Sequence, residues 1–216
     1  ASGSGKSSLL NVISGIQKPT EGTINFRNED LYKKSKNELA YFRAHDLGIV
    51  YQTNYWVKSL SVLDNISMPL YFQGEAKSSA YKKGKEALDR VDMGEFANKY
   101  PILLSGGEQQ RVAMARAIIS DPAVIIADEP TGSLDSKNGD KIIELLQKLQ
   151  RESQKTIILV THNMEYLHVA NHLVEVQDGK VTQIEGARIS ATVKTMLKET
   201  QDRINSLMEG GQHEPA

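Results

Sequence analysis

Residues 2–8 read Ser-Gly-Ser-Gly-Lys-Ser-Ser, and an apolar-periodic stretch follows without a break, predicting a helix over Lys6–Ser14. Few local structures accommodate that order. Glycines let successive backbone N–H groups curl inward, and the helix start adds about half a positive charge aimed at the same point. Phosphate oxygens fit such a cradle. Gly3, Gly5, Lys6 and Ser7 match G-x-x-x-x-G-K-[ST], except that the first glycine would precede Ala1. Ser2, Ser4 and Ser8 complete the run. In this geometry Lys6 reaches β- and γ-phosphates, and the Ser7 hydroxyl ligates the Mg²⁺ that bridges them. A flexible Gly/Ser linker would not carry a lysine and an amphipathic helix directly behind it.

A chain of 216 residues is long enough for one domain with a real core, or one domain plus a tail. Lys plus Arg is 26 against 27 Asp plus Glu, which argues against a general nucleic-acid binder. There is no cysteine, so disulfides and thiolate metal sites are excluded. No apolar run reaches the roughly 18 residues of a membrane helix, and no signal peptide is visible. Strands and helices alternate, predicting an α/β domain with a mostly parallel sheet. Strands are expected at 23–26, 47–51, 123–127 and 156–160. Helices are expected at 36–43, 62–72, 79–91, 108–120 and 138–152. A hairpin at 173–185 turns at Asp178–Gly179. After Gly186, Ile189, Val193, Met196, Leu197, Ile204, Leu207 and Met208 recur at helical spacing, and the final residues read as a disordered tail.

Two further motifs carry chemistry. In Val124–Pro130 a buried strand delivers Asp128 and Glu129 to its carboxyl end, where ligands bind in open parallel sheets. Pro130 stops the strand. Asp128 suits Mg²⁺ and its water shell, because hard cations take oxygen ligands. Glu129 is then placed to orient or deprotonate an attacking water. In Leu104–Arg111, Ser105 and Glu108 form a capping box, while Gly106 and Gly107 allow close approach to the helix start. That makes a second anion-binding helix tip, distant in sequence from the first.

With these three motifs in this order, residues 1–186 resemble the ATP-binding subunits of ABC transporters. The phosphate loop stands at residues 2–8, the signature at LSGGEQQR, the acidic strand at VIIADEP, a D-loop at Ser133–Leu134–Asp135, and the switch histidine at His162 in LVTHN. Gln52, after LGIVY, matches the Q-loop glutamine. The runs LSGGEQQRVAMARA and ADEPTGSLDSKNG look like the lipoprotein-release and macrolide- or peptide-export branch. A cell-division ABC ATPase that signals without transport is a close relative and the alternative function. The resemblance implies a RecA-like P-loop NTPase core in residues 1–186, with a helical signature subdomain at about 53–120. Residues 187–216 would add an amphipathic helix and tail. The family's first β-subdomain, the strand entering the phosphate loop and the adenine-stacking aromatic would lie before residue 1, so a chain starting at Ala1 is expected to be poorly stable or to bind ATP weakly.

The resemblance also implies a mechanism. Two copies would pair head to tail and hold each ATP between the phosphate loop of one and the signature of the other. Ser105, Gly106, Gly107 and Glu108, with Asp135, would address the nucleotide. Gln52 would help ligate Mg²⁺ beside Ser7 and Asp128 and sense the membrane partner. Glu129 would be the catalytic base, and His162 would contact the γ-phosphate and stabilise developing charge. The partners implied are a second copy and a separate transmembrane permease subunit, which contacts the substrate, with no nucleic acid. The location implied is the cytoplasmic face of the membrane. Tyr55, Trp56 and Val57 look exposed, and Trp56 is expected either to meet the permease or to cover the helical subdomain core. DNA-repair relatives carry long coiled coils, but residues 9–103 show no sustained heptads. Translation-type relatives carry Asn-His where Gly132–Ser133 stands here.

Overall fold

The computed structural model describes residues 4–185, 189, 191–196, 198, 201 and 202. By its internal contacts the chain forms two units, residues 6–161 and residues 1–5 with 162–216. The larger unit opens with α1 (Lys6–Ile13) and a short hairpin of β1 (Asn25–Phe26) and β2 (Glu29–Asp30). Then come α2 (Lys36–His45), β3 (Leu47–Val50), α3 (Val62–Phe72), α4 (Lys77–Asp89) and α5 (Gly106–Ile118). It closes with β4 (Val124–Asp128), α6 (Ser136–Ser153) and β5 (Thr156–Val160).

β3, β4 and β5 form a parallel sheet in the order β3-β4-β5. Val50 stands opposite Ala127, and Asp128 opposite Val160, so the carboxyl ends of all three strands finish together. The apolar run of β4 explains its central place, since Ile125, Ile126 and Ala127 are buried on both faces. One helix comes unusually close to the sheet. A Cβ on Gly48 of β3 would lie 2.2 Å from the Ala117 carbonyl oxygen of α5. Only glycine permits that approach. On the side of α1 and α2, a core gathers Leu10, Leu31, Phe42, Leu47 and Ile126. α3, α4 and α5 pack on one another, burying Leu63, Ile66, Leu70, Leu88 and Met114.

The helix starts follow their caps. Ser35–Glu38, Ser61–Asp64 and Ser105–Glu108 are all reciprocal capping boxes, and Asp135 caps α6. Boundaries differ from the sequence reading at several helix starts. α4 begins at Lys77 rather than 79, behind Ala76, which has no capping side chain. α5 begins at Gly106 rather than 108, because Ser105 caps it directly. β1 and β2 are joined by a turn at Arg27–Asn28, with both residues left-handed at φ 51° and 67°.

In the smaller unit, β6 (His172–Gln177) and β7 (Lys180–Glu185) form the expected antiparallel hairpin, turned at Asp178–Gly179 with φ 51° and 74°. Leu173, Ile189 and Val193 are buried together, with Leu167 and Ile184 against them. Leu197, Ile204, Leu207 and Met208 lie outside the described residues.

Candidate functional site

The larger unit carries its chemistry at the carboxyl end of β4. Asp128 is the last residue of the strand, half-buried, and Glu129 follows it. Burial raises the Asp128 carboxyl above the ordinary aspartate value, the Glu129 charge adds to the rise, and the Lys6 ammonium opposes it. The acidic pair of the middle strand and the lysine at the start of α1 therefore share one electrostatic neighbourhood, although 121 residues of chain separate Lys6 and Asp128. Glu129 donates its backbone N–H to the Val160 carbonyl of β5 at 2.9 Å. Its φ is +48°, a region a non-glycine residue enters at a cost of about 1–2 kcal/mol. The ladder bond to β5 and the proline behind it hold that conformation, which turns the chain sharply at the residue proposed as base.

Gln52 comes to the same place from β3. A Cβ on Gly132 would lie 3.6 Å from the Gln52 amide nitrogen and 3.7 Å from the Glu129 Cβ. Gln52 and Glu129 thus flank one small open space that Gly132 keeps clear. Gly132 was not singled out from the sequence; its signal is a glycine three residues past the acid. Ser7 and Ser8 are exposed in the first turn of α1. Ser7, Gln52 and Asp128 carry oxygen atoms of the kind hard cations take. Among the described residues no three His, Cys, Asp or Glu side chains cluster to hold a metal by themselves.

The second helix tip is also built as its residues dictate. Ser105 donates its N–H to the Glu108 carboxylate at 2.7 Å, and its hydroxyl stands 2.7 Å from the same oxygen. These bonds hold the Glu108 carboxyl below the ordinary glutamate value. Glu108 is thereby committed to fixing Ser105. Gly106 is exposed, with space for a Cβ only 3.7 Å from Leu134, and the corresponding point on Gly107 is 3.1 Å from Asn138. The start of α5 therefore lies against the start of α6. There Asp135 accepts from the Asn138 N–H at 2.9 Å and from its side-chain amide at 2.7 Å. These bonds keep the Asp135 carboxyl low. Leu134 stands in the D-loop, whereas Asn138 is a contact that motif reading did not single out.

Trp56 is half-buried, while Tyr55 is 72% and Val57 39% exposed. The indole is partly covered, while the residues on either side of it are exposed as expected. Ser4, Gly5 and His162 belong to the smaller unit. Ser4 is buried and accepts the Gly179 N–H at 3.2 Å. Gly5 has φ +100°, which requires glycine. His162 is exposed and follows Thr161 directly after β5. Ser2 and Gly3 lie outside the described residues.

Comparison with known proteins agrees with this architecture. The family model described as ABC transporter matches residues 1–132. The ABC transporter ATP-binding protein MJ0796 of Methanocaldococcus jannaschii is 41% identical over 191 residues, covering 87% of this chain and 81% of the relative. The lipoprotein-releasing system ATP-binding protein LolD 1 of Rhodopseudomonas palustris is 39% identical over 181 residues, covering 83% and 80%. The dimeric structure of the MJ0796 cassette has a TM-score of 0.76 and 38% identity over 86% of this chain and 83% of that one. A post-hydrolysis dimer of the same cassette, bound to ADP and Pi, also scores 0.76. A phosphate-loop lysine, an acid pair ending the central strand and a glycine-tipped helix therefore stand in a chain that matches these proteins nearly end to end, and the chain belongs to the nucleotide-binding ATPase domains of ABC transporters.

Proposed function

We propose that this chain hydrolyses Mg-ATP as the motor subunit of an ABC transporter, two copies closing head to tail around two nucleotides. The observation that carries this reading is the meeting of Lys6, Asp128, Glu129 and Gln52 at the carboxyl ends of β3 and β4. A site with a cation, two carboxylates and an amide can hold a triphosphate and its Mg²⁺ and activate a water. Lys6 binds phosphate. Ser7, Gln52 and Asp128 hold the metal, which would neutralise charge between the β- and γ-phosphates. Glu129 accepts the proton of the attacking water, and His162 steadies the γ-phosphate.

The exposed tip Gly106–Gly107 supports pairing. Gly106 is exposed and the tip is a helix start, so a second copy is the economical source of an anion for it. The MJ0796 cassette is a dimer, with ADP and Pi in one of its states. The LolD relatives support a role in lipoprotein release through a separate membrane subunit. In this reading the transport path lies in that subunit and this chain sits at its cytoplasmic face; among the described residues no helix is long and apolar enough to cross a membrane. The test is sedimentation of the Glu129→Gln protein with and without Mg-ATP, together with identification of the membrane protein that copurifies. Nucleotide-dependent dimers and a permease support the reading. A monomer at saturating Mg-ATP refutes it.

A further inference from the structure

The segment between Gln52 and α3 is anchored in an uneven way. At its far end, Asn65 is 1% exposed and holds the chain by four bonds. It accepts from the Val57 N–H at 2.9 Å and donates to the carbonyls of Val57, Leu60 and Ser61 at 2.9–3.1 Å. Its near end is tied to α5 instead. Arg116 donates to the Asn54 carbonyl at 2.7 Å, and its guanidinium lies 4.5 Å from the centre of the Trp56 ring. The Trp56 indole N–H donates to the Gln109 side-chain oxygen at 2.9 Å. The Gln109 amide donates in turn to the Leu104 carbonyl at 3.0 Å, one residue before Ser105.

These contacts are costly to build for packing alone. Burial disfavours the charge on Arg116, and among the described residues no ion pair with a carboxylate answers it. Its partners are a ring face and a carbonyl, both on the segment that follows Gln52. A leucine at position 116 would fill space without desolvating a charge. What the arginine adds is a directional tie. The chain of contacts runs from the Gln52 segment through Asn54, Arg116, Trp56 and Gln109 to Leu104 and the tip of α5. Gln109 uses both ends of its amide in it.

We propose that Trp56, Gln109 and Arg116 are positioning residues that form a clasp, so that a shift of the Gln52 segment moves the Ser105 tip with it. The proposal rests on the nucleotide reading above. In a head-to-tail pair, Gln52 and Ser105 of one copy address different nucleotides, so the clasp links the two sites of the dimer and predicts cooperativity in ATP.

Trp56 is the only tryptophan, so its emission reports the clasp directly. The first measurement titrates Mg-ATP into the full chain carrying Glu129→Gln and follows indole fluorescence, with ATP occupancy from equilibrium dialysis. The expected result is a saturable emission change that disappears when Gln109→Leu is added, although ATP remains bound. The second measurement compares ATP dependence of turnover in the otherwise unaltered chain, Trp56→Phe, Gln109→Leu and their double variant. Trp56→Phe keeps a ring over Arg116 and removes only the N–H donor. Each single variant is expected to lower kcat about 3- to 10-fold and bring the Hill coefficient towards 1, with the thermal midpoint within about 2 °C. The double variant should match the singles, because both break one link. The clasp is refuted by an emission change that survives Gln109→Leu, by no change at full occupancy, or by multiplicative losses in the double variant. Should the otherwise unaltered chain bind no ATP or show no turnover, the nucleotide reading itself falls, and the clasp with it.

Discussion

Replacing Glu129 by glutamine isolates the base from everything else the site does. The amide is isosteric, so the backbone at φ +48° and the N–H bond to Val160 persist. What is lost is the group that takes the proton from water. A positioned general base is worth about 10²–10⁴ in rate, which is about 2.7–5.5 kcal/mol of barrier. Binding should move the other way. The Glu129 charge is one of the two causes lifting the Asp128 carboxyl, so its removal lets Asp128 ionise more readily and takes one negative charge away from an anionic ligand. The variant is therefore expected to bind Mg-ATP as tightly as the parent or more so. Stability should stay within about 0.5 kcal/mol, since no packed atom is removed. Phosphate release at saturating Mg-ATP, paired with equilibrium dialysis of ATP, measures both quantities. A rate within tenfold of the parent, or a loss of ATP affinity that parallels the loss of rate, would show that Glu129 is not the base.

Three further outcomes follow from the geometry. Gly48→Ala pushes a methyl to 2.2 Å from the Ala117 carbonyl oxygen and 3.0 Å from its carbon, backbone atoms that cannot swing aside, so urea unfolding should register a loss of about 1–3 kcal/mol; an unchanged midpoint would mean that α5 moves freely on β3. Asp128→Asn is expected to raise the thermal midpoint of the nucleotide-free chain near pH 7. The folded state lifts this carboxyl, so its cost is present above the folded pKa and absent below the ordinary aspartate value of 3.8. The gain should therefore vanish in acid, while stabilisation by Mg-ATP is lost; a gain that persists below pH 3 would contradict the assignment. Ser105→Ala removes the side-chain half of the cap on α5 and should cost about 1 kcal/mol, with turnover falling further than stability explains; normal turnover would remove Ser105 from the nucleotide site.

Much of this molecule was legible in one dimension because its rules are local. A capping box needs four residues, so Ser61–Asp64 and Ser105–Glu108 were readable at once, and both formed as written. An apolar run closed by two acids and a proline can only be a strand delivering charge to its end, and β4 does this. The hairpin at Asp178–Gly179 was equally plain. Signals failed where the local cue was missing. The start of α4 has no capping side chain, and the two-residue strand Glu29–Asp30 has no apolar pattern to announce it.

Sequence alone therefore nominated the residues proposed to bind phosphate, metal and water, since that choice rests on residue type and on spacing within a few positions. Only the tertiary structure decided that Gln52 lies beside Glu129, that Gly132 keeps the gap between them open, that Gly48 brings α5 onto β3, and that Trp56 faces Arg116 rather than solvent. These are meetings of residues about 60 to 80 positions apart. They depend on the order of strands in the sheet and on how closely a helix can approach it, and neither is written in any short stretch of chain.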